Sequence, residues 1–377
     1  MRLNAQHIEA LANEHPRQGE YSYGTAGFRT KAERLPSTVL RMGMFAAVRA
    51  ATCAQASGKS TAVGVMITAS HNQHADNGIK LADPSGEMMR AEWESLATGV
   101  ANAPEQQLSS VLQSILLANG VTEEAASDVT VVVGHDTRAH SPRLADLCRQ
   151  GAEALGARVL RFDRPCSTPQ LHWAVRQLQH CLGDEEQERK LMSNEAYSRT
   201  LSQAFLDILN LMSPSADSLG TVVIDCANGV GGNAFGDIAP LVSEKLQMQL
   251  VNLPDPEHPE KVNDGCGSEH VQKARTLPVN VTGEDGARYA SCDGDADRLV
   301  YFAASSGSSS ASLVDGDREL IVFTCLLRSL LSAANLTDRF TVGVVQTAYA
   351  NGASTHFVQR QVSHSAEMLF PVACYSR

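Results

Sequence analysis

The apolar run Ala62-Val63-Gly64-Val65-Met66-Ile67 predicts a strand, and Thr68-Ala69-Ser70-His71-Asn72 after it places a small, exposed hydroxyl at the strand's end. From Thr130 the pattern reads strand (Val131-Val132-Val133), loop (Gly134 to Arg138), helix opening at Ser141-Pro142, then strand (Arg158 to Phe162), a βαβ unit. The polar run Gly183 to Lys190 reads as a solvated connection. The next helix carries apolar residues at Tyr197, Leu201, Phe205, Ile208 and Met212.

A second unit opens with the strand Thr221 to Asp225, turns through Gly229-Val230-Gly231-Gly232 into a helix, and continues to a strand at Gln249 to Leu253. Pro254 to Gly286 is rich in Pro, Asp, Asn and Gly and reads as loops and a crossing. From Ala287, Tyr289 to Cys292 and Leu299 to Phe302 flank an acidic loop like the strands of a hairpin. Asp315-Gly316-Asp317 then starts a helix reaching about Asn335, with a strand at Phe340 to Val345. Repeated alternation predicts an α/β protein of similar consecutive domains: 1–190, 191–286, and an incomplete third over 287–377, since 32 residues follow Val345.

A length of 377 residues agrees with two or three domains, and 43% hydrophobic with 19% charged residues is the composition of a folded chain. The amino terminus lacks a secretory apolar stretch and the run Leu320 to Leu327 stops at Arg328, so neither export nor a membrane span is expected. A net charge of -11 without clustered Lys and Arg excludes a broad nucleic-acid surface. Nine scattered cysteines without a C-x-x-C pair point to reduced thiols and the cytoplasm.

Chemistry enters at Asp293-Gly294-Asp295-Ala296-Asp297-Arg298, three carboxylates on alternate residues followed by a guanidinium. A calcium EF-hand is excluded, because its sixth and twelfth positions require Gly and Glu and hold Arg298 and Ala304 here. Oxygen ligands converging in a tight turn suit Mg²⁺; the alternative is a solvated Asx-rich turn. Ser70 is either a phosphoryl carrier or the cap of a following helix, and it is not a G-x-S-x-G elbow, since Thr68 and Asn72 occupy the glycine positions. Phosphorylated, it would carry a charge near about -2 and offer an oxygen to a cation.

Lys80 follows ten residues later, across a turn expected at Asn77-Gly78, where it could contact phosphate, move a proton, or simply be solvated. Tyr23-Gly24-Thr25-Ala26-Gly27-Phe28-Arg29-Thr30 sets Arg29 beside flexible glycines, as a phosphate contact or an ordinary turn. Gly134-His135-Asp136-Thr137-Arg138 reads as a strand-to-helix turn capped by Asp136 or Thr137.

In this order, Y-G-T-A-G-F-R-T, T-A-S-H-N, D-N-G-I-K, G-H-D-T-R and D-G-D-A-D-R resemble the α-D-phosphohexomutase superfamily, over residues from about 20 to about 355. Leu81 to Met88, Asp225 to Gly231 and Val345 to Gly352 are similar to its branch that acts on N-acetylglucosamine phosphate. The resemblance implies interconversion of N-acetylglucosamine 6-phosphate and 1-phosphate on the route to UDP-N-acetylglucosamine, with Ser70 as the phosphoserine. It further implies one Mg²⁺ per chain held by Asp293, Asp295, Asp297 and a Ser70 phosphoryl oxygen, and a sugar bisphosphate as activator. Arg29, Lys80 and Arg298 would stabilise the transferring group, and His71 or Lys80 would manage the proton. The expected partner is a small hexosamine phosphate, with no nucleic acid and no membrane, and the expected state is a monomer.

Two departures from the family pattern stand out. Gln73 replaces the usual proline after T-A-S-H-N, at a cost in loop stiffness. From about residue 356 the resemblance fades into an atypical tail, and neither the sugar-recognition loop nor a fourth, phosphate-gripping domain follows. Weak or absent turnover is the expectation, because binding energy from remote groups positions the reacting centre. The competing readings are a mutase of glucose or mannose phosphate, a phosphatase or phosphotransferase with Asp293 as nucleophile, and a non-catalytic truncated product.

Overall fold

The computed structural model describes residues 3–24, 26–212, 218–340, 342–346 and 350–362; Thr25, Thr347 to Tyr349 and the tail from 363 onward lie outside them. The first five strands are β1 (Phe28–Lys31), β2 (Thr61–Ile67), β3 (Asp76–Ala82), β4 (Val129–His135) and β5 (Arg158–Arg161). They form one sheet in the order β1-β3-β2-β4-β5, with β2, β4 and β5 parallel and β3 antiparallel to both β1 and β2. The apolar run at β2 is buried throughout because both faces are covered. Val63, Val65 and Ile67 join one apolar cluster, while Ala62 and Met66 join another on the opposite side.

Helices α1 (Ala5–Glu14), α2 (Pro36–Ser57), α3 (Glu94–Asn102), α4 (Leu108–Ala118), α5 (Ser141–Ala154), α6 (Thr168–Leu178) and α7 (Glu185–Leu191) accompany this sheet, and α8 (Asn194–Met212) runs from α6 onto the second unit. On the first face α2 is buried almost along its whole length. Its Gly43 lets α5 close in, since a Cβ there would meet the Cys148 carbonyl oxygen at 2.0 Å. The opposite face is covered by α6, through Leu171, Ala174, Val175 and Leu178.

A second sheet repeats the plan: β6 (Thr221–Asp225), β7 (Gln247–Val251), β8 (Tyr289–Cys292), β9 (Leu299–Ala303) and β10 (Ser312–Val314) lie in the order β10-β9-β8-β6-β7. Around it run α9 (Gly231–Val242), α10 (Ser268–Ala274), α11 (Gly316–Ala333) and α12 (Gly352–Val362). Strand β8 pairs parallel to β6 and antiparallel to β9, with Cys292 opposite Leu299, so the acidic loop is the hairpin turn that the pattern predicted. No helix of the described residues is long and apolar enough to cross a membrane.

Several expectations are corrected. The boundary expected at 286 cuts through this second sheet, because β8 returns to pair with β6 of the preceding unit. The run Gly183 to Lys190 is exposed as expected except at Glu188, but it is not a plain connection: α7 starts within it at Glu185, capped by Asp184 and anchored by buried Glu188. Asn77-Gly78 is no turn but lies inside β3, where a Cβ on Gly78 would meet the Phe28 and Thr68 carbonyl oxygens, each at 2.6 Å. Strand β7 falls two residues earlier than Gln249 to Leu253. The expected strand at Phe340 to Val345 is absent over the described residues 342–346, and Phe340 and Val345 are exposed, with no sheet to bury them. On α8 the buried positions are Asn194, Ser198 and Ser202, while Leu201, Ile208 and Met212 of the apolar stripe face outward.

Candidate active site

The loop after β2 meets the loop between β8 and β9. Ser70 is in the left-handed region (φ 53°), a conformation most side chains avoid. Its carbonyl oxygen accepts from Arg138 Nη2 at 3.1 Å and from Asn263 Nδ2 at 2.9 Å, and the same two groups donate to the Asn72 carbonyl. Its amide donates to Thr68 Oγ1, which in turn donates to Asp136 Oδ2. Gly294 packs on this turn; a Cβ there would meet the Ser70 carbonyl oxygen at 2.7 Å. Ser70 is therefore buried, not exposed as expected, because the second unit's acidic loop covers it.

The Ser70 hydroxyl donates to Asp293 Oδ2 at 2.6 Å and accepts from Arg298 Nη2 at 3.1 Å. His71 Nδ1 stands 3.5 Å from that hydroxyl and 3.5 Å from Arg29 Nη1, while His71 Nε2 lies 3.4 Å from Glu269 Oε1. Lys80 points from β3 into the acidic loop, its ammonium 3.0 Å from Asp295 Oδ2 and 2.8 Å from Asp297 Oδ2. Arg29, on β1 opposite Gly78, has a buried Nε that meets no acceptor, a donor suited to an anion. Ser70, His71, Lys80, Arg29, Arg298 and the three aspartates thus converge, although they come from two sheets.

Burial is the largest influence on Asp293, and with Asp295 and Asp297 beside it the carboxyl is pushed well above its ordinary range. Asp295 is equally buried, yet the Lys80 ammonium and the Thr168 hydroxyl outweigh burial and hold it below the usual value. For Lys80 burial works against the charge, but Asp295 and Asp297 prevail and raise it. Arg298 is lowered, first by burial and then by Arg29.

The three aspartates offer carboxylate oxygens within 4.8 Å of one another. Asp295 Oδ1 is buried with no hydrogen-bond donor, which leaves a hard, anionic oxygen free inside the loop. An all-oxygen, multiply charged set of this kind fits Mg²⁺.

Sequence reasoning missed four contributors. Arg138 and Asp136, read as a capped turn, are buried and build the floor under Ser70: Asp136 accepts from the Arg138 amide and from Ser141 Oγ, and pairs with the Arg138 guanidinium. Asn263 sits in the segment read as loops. Thr168, whose hydroxyl donates to Asp295 Oδ2 at 2.6 Å, lies inside the helix-start signal Ser167-x-x-Gln170, which is legible as a capping box but says nothing of the acidic loop. A cavity of about 570 Å³ opens beside the serine loop, lined in part by His71, Asn72, Asn263 and Glu269. A larger one of about 1010 Å³, against Trp173 and α8, contains none of these residues.

Residues 37–107 and 97–183 match the model of phosphoglucomutase/phosphomannomutase, alpha/beta/alpha domain I, and residues 315–371 match that of phosphoacetylglucosamine mutase AMG1, domain III. The latter begins well beyond 287, where the third unit was expected, and runs past about 356, where the resemblance was expected to fade. Phosphoacetylglucosamine mutase 1 of Schizosaccharomyces pombe is 39% identical over 342 residues, 90% of this chain and 63% of the relative.

Among solved structures, the Aspergillus fumigatus N-acetylphosphoglucosamine mutase is 32% identical, covering 96% of this chain and 65% of that one. It has a TM-score of 0.85 as a serine-to-alanine variant with glucose 1,6-bisphosphate, and 0.82 with GlcNAc-6P and magnesium. An apo N-acetylglucosamine-phosphate mutase is 30% identical with a TM-score of 0.81, covering 96% of this chain and 76% of that chain. The chain spans about three fifths of the length of the curated relatives it matches. With the ordered motifs, the two family-model matches and a shared fold over three quarters of that apo enzyme, the chain belongs to the α-D-phosphohexomutase superfamily, in its phosphoacetylglucosamine mutase family.

Proposed function

We propose that the chain carries the phosphoryl-transfer centre of a phosphoacetylglucosamine mutase, which interconverts N-acetylglucosamine 6-phosphate and 1-phosphate through a phosphoserine at Ser70 and a sugar bisphosphate. The observation that carries this reading is the Ser70 hydroxyl, 2.6 Å from Asp293 and 3.1 Å from Arg298. In the forward step the bond from phosphorus to Ser70 Oγ breaks as one forms to the free sugar hydroxyl. That hydroxyl's proton passes to His71, whose Nδ1 faces Ser70 Oγ at 3.5 Å.

Lys80 is engaged by two carboxylates and serves as fixed positive charge. Arg298 and the unpaired Nε of Arg29 add donors for the equatorial oxygens of the transferring group. In the return step the bond from phosphorus to the other sugar oxygen breaks as one forms to Ser70 Oγ, and the proton held on His71 goes to the sugar oxygen released. One Mg²⁺ per chain, with Asp293, Asp295, Asp297 and a phosphoserine oxygen as ligands, would supply charge neutralisation. The complexes of the Aspergillus fumigatus enzyme with magnesium, GlcNAc-6P and a hexose bisphosphate support the same chemistry.

Incubation with Mg²⁺ and ³²P-labelled glucose 1,6-bisphosphate, followed by peptide mass spectrometry, tests it. Label is expected on Ser70 and is expected to vanish in Ser70→Ala. Label that persists in Ser70→Ala, or that maps to Asp293, overturns the phosphoserine and favours an aspartyl nucleophile.

A further inference from the structure

We propose that Thr168 is a positioning residue for the metal centre and that Asp295 ligates through Oδ1, the atom that Thr168 and Lys80 leave free. The inference rests on the metal-site reading above and specifies how one ligand of it is aimed.

Asp295 is wholly buried, so each of its oxygens must find a partner inside the protein. Oδ2 has two: Thr168 Oγ1 donates to it at 2.6 Å and Lys80 Nζ at 3.0 Å. Oδ1 has none. A carboxylate with one oxygen saturated and the other bare has a single oxygen left to offer a cation, and a carboxylate oxygen of Asp295 lies within 4.8 Å of one from each of Asp293 and Asp297.

Thr168 holds the backbone of the same residue as well, its amide donating to the Asp295 carbonyl at 3.0 Å. The grip is rigid from its own side. Thr168 opens α6, where Ser167 accepts from the Gln170 amide at 3.2 Å and the Gln170 side chain accepts from the Ser167 amide at 2.7 Å. Gln170 is tied in turn to the Asn194 carbonyl. A β-branched side chain with a stiff χ1 on a locked helix start fixes the hydroxyl in space. Because α6 belongs to the first sheet and Asp295 to the second, this contact also sets where the acidic loop stands relative to Ser70.

The test is Mn²⁺ binding to the full chain without sugar, followed by the loss of the free-ion electron paramagnetic resonance signal, with the wild type, Thr168→Val, Thr168→Ser and Asp293→Asn. Thr168→Val keeps the shape and the backbone bond but removes the donor, and should weaken Mn²⁺ by roughly 10- to 100-fold. Thr168→Ser should restore most of the affinity. Saturating Mg²⁺ should recover Ser70 labelling in Thr168→Val with the KM for sugar phosphate unchanged. Wild-type affinity in Thr168→Val together with loss in Asp293→Asn overturns the role of Thr168 alone. Undiminished affinity in Asp293→Asn overturns the metal site itself. Should Thr168→Val not fold, Thr168→Ala against Thr168→Ser makes the same comparison, and equal affinities there overturn the proposal.

Discussion

Arg138 shows how much of a reactive residue's placement is decided by a neighbour that never meets substrate. Its side chain is fully buried, with one nitrogen on Asp136 and another shared between the carbonyl oxygens of Ser70 and Asn72. Those bonds hold Ser70 in its left-handed turn, a conformation that costs roughly 1 kcal/mol or more for a residue with a side chain. Lysine is also cationic but lacks the planar fork, so it cannot serve Asp136 and two carbonyls at once. Arg138→Lys is therefore expected to lose about 3 kcal/mol in urea unfolding, as when a buried ion pair is broken, and to slow Ser70 labelling at least tenfold. An unchanged midpoint and labelling rate would refute the grip. Residue type alone left Ser70 between a phosphoryl carrier and a helix cap, and it was the ordered motifs and the resemblance they carry that singled it out together with the three aspartates, which the fold does bring side by side. The burial of Ser70 was not legible, because Asp293, which accepts from its hydroxyl, lies 223 residues away.

At the scale of elements, α7 is the instructive miss. Glu185, Glu186 and Glu188 in its first turn and Arg189 and Lys190 in its last read as solvated polarity, yet they match the helix dipole, and Asp184 caps the start. The deciding contact is non-local: Arg158 on β5 forms a fork onto both oxygens of Glu188, at 2.5 Å each, and Glu188 is nearly inaccessible. That fork is the first reason its carboxyl sits below the ordinary glutamate value.

The sign follows from that direction. A depressed carboxyl binds fewer protons in the folded state, so its stabilisation is full above the unfolded value of about 4.3 and is lost as pH falls through the folded one. Glu188→Gln should therefore cost about 1–2 kcal/mol at pH 7, a figure kept small because Arg158 is partly exposed. Denaturant melts from pH 7 down to pH 3 should show the gap to wild type closing; a constant gap would show that packing, not charge, is at work. Strand β2 was legible because a strand buried on both faces reads as an apolar run. Within β3, Asn77-Gly78 misled because that dipeptide signals a hairpin, whereas here the missing Cβ admits two backbone oxygens.

The whole molecule is two sheets of the same plan that meet at the site through polar contacts, with α8 packed between them on one side. Alternation along the chain announced repeated α/β units, but it does not say which strands pair, and so the return of β8 to β6 was misplaced as the start of a third unit. The apolar clusters do not cross the junction: two lie between residues 8 and 192 and the third between 271 and 313. What joins the units at the site is Ser70 to Asp293, Lys80 to Asp295 and Asp297, Thr168 to Asp295, and Asn263 to the serine loop, with Arg164 to Asp237 of α9 nearby. A junction of this kind couples two cores weakly, and its acidic loop repels itself when no cation is present. Calorimetry in a chelator is therefore expected to give two resolved transitions, one per core. On the proposed function, Mg²⁺ with glucose 1,6-bisphosphate would engage residues of both units in the folded site only, and should raise the lower transition and draw it toward the upper by several degrees. The same ligands should leave the two transitions apart in Asp293→Asn. A single transition with equal calorimetric and van't Hoff enthalpies in the chelator would instead mean that α8, which packs on both α6 and α9, already fuses the two units into one cooperative body without the site.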